Sequence, residues 1–192
     1  MVAIIEYNAG NITSVKNAVE RLGYSCKITG NIEEIKKADK VIFPGVGEAR
    51  SAMKYLNNNG LTDAIKSLLQ PTLGICLGLQ LMCLHSEEGD TECLKIFKTG
   101  VKKFPADDIV PHLGWNSIYN VSGPLFNSFN KDEAVYFLHS YYAGLCEQTI
   151  ASCNYIFPFS AAMRKDNFYA TQFHPEKSGD AGELILKNFL EL

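Results

Sequence analysis

The sequence has none of the close residue pairs that mark common metal sites. Its six cysteines stand at positions 26, 76, 83, 93, 146 and 153 without a CxxC pair, and its four histidines form no HxxxH pair. Structural zinc sites usually take their ligands from such pairs, and disulfide frameworks belong mainly to short secreted chains. We therefore expect no metal and reduced thiols, with Cys26, Cys83 and Cys153 as small buried side chains.

Long apolar runs and a strong excess of charge are also absent. No run approaches the roughly 20 residues that a membrane-spanning helix needs. The 192 residues carry a formal net charge of −3, which supports neither nucleic acid nor a membrane surface as the main partner. The first residues, MVAIIEY, lead directly into a strand-like run, so we expect no targeting peptide. These observations predict a cytoplasmic protein with a single domain over residues 1–192.

Strands and helices alternate through the first half of the chain. Short runs rich in apolar and β-branched residues predict strands, and apolar residues at helical spacing predict helices. The strands are predicted at 2–7, 24–29, 40–45 and 71–75, and the helices from Asn11 to Leu22, at 31–38, at 49–69 with a break near 57–60, and at 77–85. Such alternation is typical of a parallel sheet wound on both faces by helices.

The second half consists mainly of short strand-like runs, divided by Gly, Pro, Asn and Asp. The runs are FKTGVKKF, NSIYNV, AVYFLHSYY, TIASCNY, SAAMRK and FYATQF, and the amphipathic segment AGELILKNFLEL closes the chain. We therefore predict an α/β fold. It has a doubly wound, mostly parallel central sheet, helices on both faces, and antiparallel strand additions in the second half.

One cysteine lies between two glycines in GICLGLQ, residues 74–80. A strand that turns sharply into a helix brings the residues two before and two after its crest together, which favours Gly74 and Gly78 around Cys76. The helix N-terminus would stabilise a thiolate, and its free N–H groups could bind an oxyanion. On this pattern alone, Cys76 is either a nucleophile or a buried structural cysteine.

A base for such a nucleophile is offered by His174 in QFHPEKSG. The strand FYATQF leads into His174, and Pro175 ends the strand ladder. Glu176 follows two residues later, and residues i and i+2 of an extended chain face the same way. Its carboxylate could therefore orient the imidazole next to Cys76, at the carboxyl ends of neighbouring strands. A solvated or capping histidine is the alternative.

Together, GICLGLQ and QFHPEKSG resemble the class I (triad) glutamine amidotransferases, over essentially the whole chain. Four further segments are similar to the glutaminase subunits of imidazole glycerol phosphate synthases. They are PGVG (44–47), PHLGWN (111–116), YFLHSYY (136–142) and HPEKS (174–178). The resemblance implies that Cys76 attacks the side-chain amide of glutamine to form a thioester, that His174 moves the protons, and that Glu176 orients His174.

The resemblance also implies the surroundings of the triad. The N–H groups of Leu77 and of the PGVG loop, at Val46 and Gly47, would stabilise the oxyanion. The substrate would be held by Gln80, Glu88 and Gly45, with Glu87 as the alternative acidic residue. The residues implied at the partner face and ammonia gate are Asn11, Trp115, Asn116, Tyr136 and Lys177.

A partner is expected because the chain has no evident site that could use the ammonia. It carries no GxGxxG motif and no glycine-rich phosphate loop. The resemblance implies a heterodimer with the cyclase subunit, a (β/α)₈ barrel, and implies no cofactor. Alternatives are the glutaminase subunit of another amidotransferase such as anthranilate synthase, a stand-alone γ-glutamyl hydrolase, or a non-enzymatic binding subunit with the same fold.

Overall fold

A computed structural model describes residues 1–7, 10, 12–105, 109–130 and 132–192. The first half of the chain alternates strands and helices, as the sequence predicts. Its elements are β1 (Val2–Ile5), α1 (Ile12–Arg21), β2 (Cys26–Thr29), α2 (Ile32–Lys37), β3 (Lys40–Gly45), α3 (Ala49–Asn58), α4 (Leu61–Lys66), β4 (Thr72–Cys76) and α5 (Leu77–Met82).

The second half is mostly strand and ends in a helix. Its elements are β5 (His85–Ser86), β6 (Thr91–Glu92), β7 (Val101–Lys103), β8 (His112–Tyr119), β9 (Ala134–His139), β10 (Tyr141–Ala143), β11 (Thr149–Tyr155), β12 (Phe157–Lys165), β13 (Phe168–Thr171) and α6 (Gly179–Leu190). Two 3-10 turns, Pro124–Phe126 and Pro175–Lys177, complete the description.

Nine of the strands form one mixed sheet in the order β2-β1-β3-β4-β13-β12-β11-β8-β9. The pairs from β2 through β13 are parallel, whereas those from β13 to β9 are antiparallel. The antiparallel strands thus extend the parallel sheet on one side. The predicted fold class, a doubly wound sheet with antiparallel additions in the second half, is confirmed.

Each face of the sheet is covered by its own group of helices. Alternate residues of β1 point to opposite faces: Ala3 and Ile5 join one hydrophobic core, and Val2 and Ile4 join the other. The first core contains the apolar faces of α2, α3, α4 and α5, and the second contains those of α1 and α6. Strands covered on both faces explain why the runs of the first half are almost continuously apolar.

Local sequence signals set several helix ends. Asn31 caps α2, since its side-chain oxygen accepts hydrogen bonds from the N–H groups of Glu33 and Glu34 at 2.9 and 3.2 Å. The predicted break in the 49–69 helix falls between α3 and α4. There Gly60 adopts φ 67°, which glycine tolerates without strain.

A second, four-stranded sheet of order β10-β7-β5-β6 was not part of the sequence prediction. The helix predicted at 77–85 ends at Met82, because the following backbone bonds elsewhere. Leu84 donates to Thr99 at 2.9 Å and accepts from Cys93 at 3.1 Å. The predicted run AVYFLHSYY likewise divides at Ser140, so that β9 lies in the large sheet and β10 in the small one.

The carboxyl ends of three neighbouring parallel strands meet at one edge of the large sheet. Gly45 of β3 lies opposite Cys76 of β4, and Thr171 of β13 lies opposite Ile75. Open α/β sheets bind their ligands outside such strand ends. This edge therefore carries the candidate site.

Candidate active site

The turn from β4 into α5 places Cys76 at its crest. The cysteine has φ 53° and ψ −103°, a backbone conformation that residues other than glycine rarely adopt. A Cβ on Gly74 would lie 3.0 Å from the carbonyl carbon of Gly78, and one on Gly78 would lie 1.9 Å from the carbonyl oxygen of Phe43 in β3. Glycine at both positions therefore permits the sharp strand-to-helix turn that the sequence predicts around Cys76.

Backbone and hydroxyl hydrogen bonds fix His174 to β9. The His174 N–H donates to the Tyr136 carbonyl at 2.9 Å. Ser178 closes the connection, because its hydroxyl accepts from the Tyr136 N–H at 2.9 Å and donates to the His174 carbonyl at 2.7 Å. The histidine follows the last ladder residue of β13, Thr171, by three positions, and the 3-10 turn begins directly after it.

The imidazole of His174 is oriented by Glu176. Its Nδ1 lies 2.8 Å from Glu176 Oε1, and both side chains are almost wholly buried. A carboxylate only accepts, so Nδ1 carries the proton of this bond. Nε2, the other ring nitrogen, makes no hydrogen bond of ordinary geometry with the described residues. Glu176 thus leaves Nε2 available for proton transfer.

Two neighbouring acidic side chains, those of Cys76 and Glu176, favour the protonated form of His174. Burial alone would lower its pKa, but the interactions with Cys76 and Glu176 outweigh burial and raise the pKa to about 10. Cys76 and His174 are therefore close enough for a strong electrostatic interaction, although the geometry of a direct hydrogen bond is not met. Catalytic hydrogen bonds are often long before substrate binds.

The Cys76 sulfur has two further polar neighbours. It lies 3.7 Å from the Leu138 carbonyl oxygen and 3.7 Å from Gln172 Nε2. Sequence reasoning did not select Gln172, although it stands two residues before His174, the same spacing that links His174 to Glu176. Gln80 completes this group, because its Nε2 donates to Gln172 Oε1 at 3.1 Å and to the Tyr141 carbonyl at 2.8 Å.

A cavity of about 320 Å³ opens next to the sulfur. Its volume is in the range of small-molecule sites. The lining includes most of the residues predicted for the oxyanion loop and the substrate site, together with residues of the β9–β10 segment. These residues are Val46, Gly47, Cys76, Leu77, Gln80, Glu88, Pro111, Leu138, His139, Ser140 and Tyr141.

The two neighbouring acids predicted as alternatives differ in position. Glu88 lines the cavity, and its Oε2 accepts from the Ala49 N–H at the start of α3 at 2.8 Å. Burial raises the pKa of Glu88, and this hydrogen bond opposes the rise. Glu87 instead accepts from the Lys103 N–H at 2.8 Å. The geometry therefore favours Glu88 as the acid that faces a ligand.

Gly45 lies behind the cavity rather than on its lining. A Cβ there would be 2.0 Å from the Tyr7 hydroxyl and 3.3 Å from the Leu77 Cβ, so glycine leaves the space that the Tyr7 side chain occupies. Gly47 has φ 129°, which likewise favours glycine. The predicted contact of Gly45 with substrate stays a prediction.

Four of the five residues predicted at the partner face lie on or beside β8 and β9. Trp115 pairs with Tyr136 across the strands and meets its ring edge-on at 6.0 Å, while the Lys177 ammonium lies 5.8 Å from the Tyr136 ring centre. Asn116 differs from these, because its amide lies 3.3 Å from His112 Nε2 and donates to the Asn154 carbonyl at 3.2 Å. Asn11, which also served as a predicted helix cap, lies outside the described residues.

The described residues bring together no group of three or more His, Cys, Asp or Glu side chains suited to a metal ion. All six cysteines are free thiols, and only Cys26 and Cys146 are partly exposed. Among the helices that the structure describes, none is both long and apolar enough to cross a membrane.

Comparison with known proteins agrees with the geometry at this sheet edge. Residues 3–192 match the model of the family described as Glutamine amidotransferase class-I. The chain belongs to the class-I glutamine amidotransferase family. This amidotransferase is 59% identical over 194 residues to an imidazole glycerol phosphate synthase subunit HisH of Bacteroides fragilis (strain ATCC 25285). The alignment covers 100% of this chain and 99% of the relative. The HisH subunit of Pasteurella multocida (strain Pm70) is 48% identical over 99% of the chain and 97% of its own length.

Solved structures of distant sequence share the fold of this class-I amidotransferase. A crystal structure of a glutamine amidotransferase has a TM-score of 0.77 and 20% identity, covering 99% of this chain and 97% of its own. The glutaminase domain of Trypanosoma brucei CTPS, solved with bound acivicin, has a TM-score of 0.67 and 18% identity, covering 99% of this chain and 93% of its own.

Proposed function

We propose that this amidotransferase hydrolyses L-glutamine and passes the ammonia to a cyclase subunit that makes imidazole glycerol phosphate and aminoimidazole carboxamide ribonucleotide in histidine biosynthesis. The observation that carries the proposal is the position of Cys76 at a strained strand-to-helix turn beside the buried His174–Glu176 pair. The 59% identity to a HisH subunit over the full chain supports this acceptor pathway.

The first half-reaction forms a thioester. The Cys76 thiolate attacks the side-chain amide carbon of glutamine, and the electrons of the C=O bond move to oxygen. His174 then protonates the amide nitrogen, the C–N bond breaks, and ammonia leaves. The charge on His174 suits this role, because a ring with its pKa raised to about 10 starts the reaction as an acid.

The second half-reaction restores the thiolate. After giving up its proton, His174 is neutral and takes a proton from water, whose oxygen attacks the thioester carbon. The C–S bond breaks and glutamate is released. Glu176 accepts a hydrogen bond from the Nδ1–H group throughout, so that Nε2 carries out both proton transfers. The oxyanion of each tetrahedral intermediate accepts from the N–H of Leu77 and from the loop at Val46–Gly47.

The cavity offers suitable partners for the remaining groups of glutamine. Glu88 is half-buried on its wall, and a carboxylate there pairs with the α-ammonium of the substrate. Gln80 lies one helical turn after Cys76, on the same face of α5, and lines the same cavity. No cofactor takes part in these steps.

The partner surface is an exposed apolar patch beside the cavity. Leu113 and Trp115 of β8 are 61% and 58% exposed, and they pair with Leu138 and Tyr136 of β9. We call these four residues and Lys177 the β8–β9 face. Exposed apolar side chains in one cluster are typical of protein interfaces. The patch adjoins the site because the backbone of Leu138 contacts the Cys76 sulfur.

Reconstitution with the cyclase subunit of the same organism tests this function. With glutamine, the complex should make imidazole glycerol phosphate, and Cys76→Ala should abolish that synthesis while synthesis from ammonium salts continues. Loss of both activities would indicate a structural role for the thiol. The lone chain should hydrolyse glutamine slowly, and a full rate without the cyclase would contradict the proposed coupling.

A further inference from the structure

Gln172 is a fully buried amide that bridges the cavity wall to the nucleophile. Its side chain is 0% exposed, and its backbone N–H donates to the Ala161 carbonyl at 2.8 Å. Its side-chain oxygen accepts from Gln80, and its side-chain nitrogen lies 3.7 Å from the Cys76 sulfur. Burying an amide is costly unless its groups are hydrogen-bonded. This amide makes its side-chain bonds inside the candidate site.

The hydrogen bonds determine which end of Gln172 faces the sulfur. The Tyr141 carbonyl can only accept, so the NH₂ group of Gln80 must face it. The same NH₂ group also reaches Gln172, which must therefore present its oxygen to Gln80. The NH₂ group of Gln172 is left facing Cys76. The orientation of the Gln172 amide therefore follows from the hydrogen bonds of Gln80 and Gln172 taken together.

The two uncharged polar neighbours of the sulfur favour opposite protonation states. A thiol can donate its S–H to the Leu138 carbonyl, whereas a thiolate has no proton to donate and is repelled by that oxygen. The Gln172 NH₂ group offers a hydrogen to the sulfur and so favours the thiolate. Unlike the imidazolium of His174, this donor does not titrate, so its contribution persists when His174 gives up its proton.

We propose that Gln172 is a further catalytic residue, which holds the Cys76 sulfur in place and donates a hydrogen bond to its thiolate. The inference rests on the proposed glutaminase function and adds one residue to that site. The donor stabilises the attacking thiolate and again stabilises the thiolate expelled from the thioester. The proton transfers remain with His174, and Gln80 keeps the Gln172 amide turned towards the sulfur.

Alkylation of Cys76 tests the donor without glutamine or a partner. The folded full-length chain is treated with iodoacetamide from pH 5 to pH 10, and mass spectrometry follows the peptide that contains Cys76. Gln172→Met keeps the side-chain length and removes the donor, whereas Gln172→Glu places a negative charge beside the sulfur. Gln70→Met is the matched control, because Gln70 precedes the opposite end of β4 and donates to the Ile35 carbonyl at 2.9 Å.

The expected order of alkylation rates at pH 7 is wild type, then Gln172→Met, then Gln172→Glu. A hydrogen bond to a charged group should make Gln172→Met about tenfold slower, with the midpoint of its alkylation profile at higher pH. Gln70→Met should follow the wild-type profile. Circular dichroism and thermal unfolding select the folded variants, and Gln172→Glu supplies the comparison if Gln172→Met does not fold.

Glutamine hydrolysis in the complex with the cyclase provides the second measurement. Gln172→Met should lower kcat about tenfold and change KM less, since a donor to the sulfur acts on the reacting atom. Wild-type alkylation profiles and wild-type kcat in both Gln172 variants would overturn the proposal. If the wild type lacks glutaminase activity but its alkylation still depends on Gln172, the proposed function is wrong and the thiolate donor remains.

Discussion

His174 and His139 are both buried beside the candidate site, but their pKa values are shifted in opposite directions. His139 ends β9, and His174 is attached to the same strand through Tyr136. They are 6% and 1% exposed. The pKa of His139 is lowered to about 3, first by burial and further by the nearby His112 and His174. The pKa of His174 is raised to about 10 despite its burial.

The difference lies in the hydrogen-bond partners. His139 Nδ1 donates to the Tyr141 carbonyl at 2.8 Å, so its Nε2 accepts from His112 Nδ1 at 3.0 Å. His112 in turn accepts at Nε2 from the amide of Asn116. Each ring is thus satisfied as a neutral imidazole. His174 instead lies between the side chains of Glu176 and Cys76, both of which raise its pKa.

The comparison shows that burial alone does not identify a catalytic histidine. Two neutral rings in a closed hydrogen-bond chain have little to exchange with a substrate. A ring with one nitrogen fixed by an acid and the other directed towards a cysteine can transfer a proton. The following changes test this distinction, beginning with the largest expected effect.

Glu176→Gln should remove most of the difference in pKa between His174 and His139. The amide cannot stabilise the charged ring as a carboxylate does, so the pKa of His174 should fall, and the ring can adopt the wrong tautomer. Loss of an orienting acid in a comparable triad suggests a decrease in kcat of roughly 10³- to 10⁴-fold. Glutaminase assays of the complex give kcat, and NMR titration of the lone chain follows the ring. The exposed Glu183→Gln is the control, and a decrease below tenfold in Glu176→Gln would contradict the assigned role.

The pH dependence of the free energy of unfolding should distinguish the two histidines, because His174 affects it above neutral pH and His139 affects it below neutral pH. His174, with its pKa raised from 6.5 to about 10, contributes stability that is complete below pH 6.5 and is lost as the pH rises towards 10. His139, with its pKa lowered from 6.5 to about 3, contributes stability that is complete above pH 6.5 and is lost as the pH falls towards 3.

Urea unfolding at pH 5, 7 and 9 measures both contributions under reducing conditions. Each should amount to a few kcal/mol at most over its range. His174→Gln should flatten the decrease between pH 7 and pH 9, and His139→Phe should flatten the decrease between pH 7 and pH 5. If His174→Gln loses stability between pH 7 and pH 9 as steeply as the wild type, His174 is not a buried cation.

His112→Phe should affect stability more than catalysis. A phenyl ring keeps the stacking on Tyr155, whose ring centre lies 4.0 Å away, and on Phe137 at 4.6 Å. It leaves His139 Nε2 without its donor, which should cost about 1–3 kcal/mol in the free energy of unfolding at pH 7. Urea unfolding gives this value, and kcat in the complex should remain within tenfold of wild type. A thousandfold loss of kcat in a folded variant would place the neutral histidines in the mechanism.

The parallel half of the fold was predictable because its signals are local. The strands β1, β3 and β4 are apolar runs that end at turn residues, and each is followed by helical spacing. The small sheet was not predictable, because β5 and β6 have two residues each, and the pairing of β5 with β7 joins this short hairpin to a later part of the chain. Two residues are too few to show an alternating pattern.

Some residues of the candidate site could likewise be predicted from local sequence patterns, whereas others could be recognised only from their positions in the structure. Cys76, His174 and Glu176 stand in spacings that have a direct physical reason. Gln172 has the right spacing too, but a glutamine near the end of a buried strand indicates a function only when its amide is known to face a sulfur. Neighbouring acids such as Glu87 and Glu88 cannot be separated by spacing, since the backbone of their turn decides which one faces the cavity.

The smallest effect on folding is expected from Lys177, which belongs to the same 3-10 turn as Glu176. Its side chain is exposed and lies over the Tyr136 ring at 5.8 Å, so Lys177→Met should change the free energy of unfolding by about 1 kcal/mol or less. The charge should matter only at the β8–β9 face. In the complex, the ratio of imidazole glycerol phosphate formed to glutamine hydrolysed should fall, while Lys187→Met, an exposed lysine on α6, leaves the ratio unchanged. An unchanged ratio in Lys177→Met would remove this residue from the ammonia gate. The assignments of His174 and Glu176 would stay intact, because the exposed Lys177 ammonium takes no part in the buried contact between these two side chains.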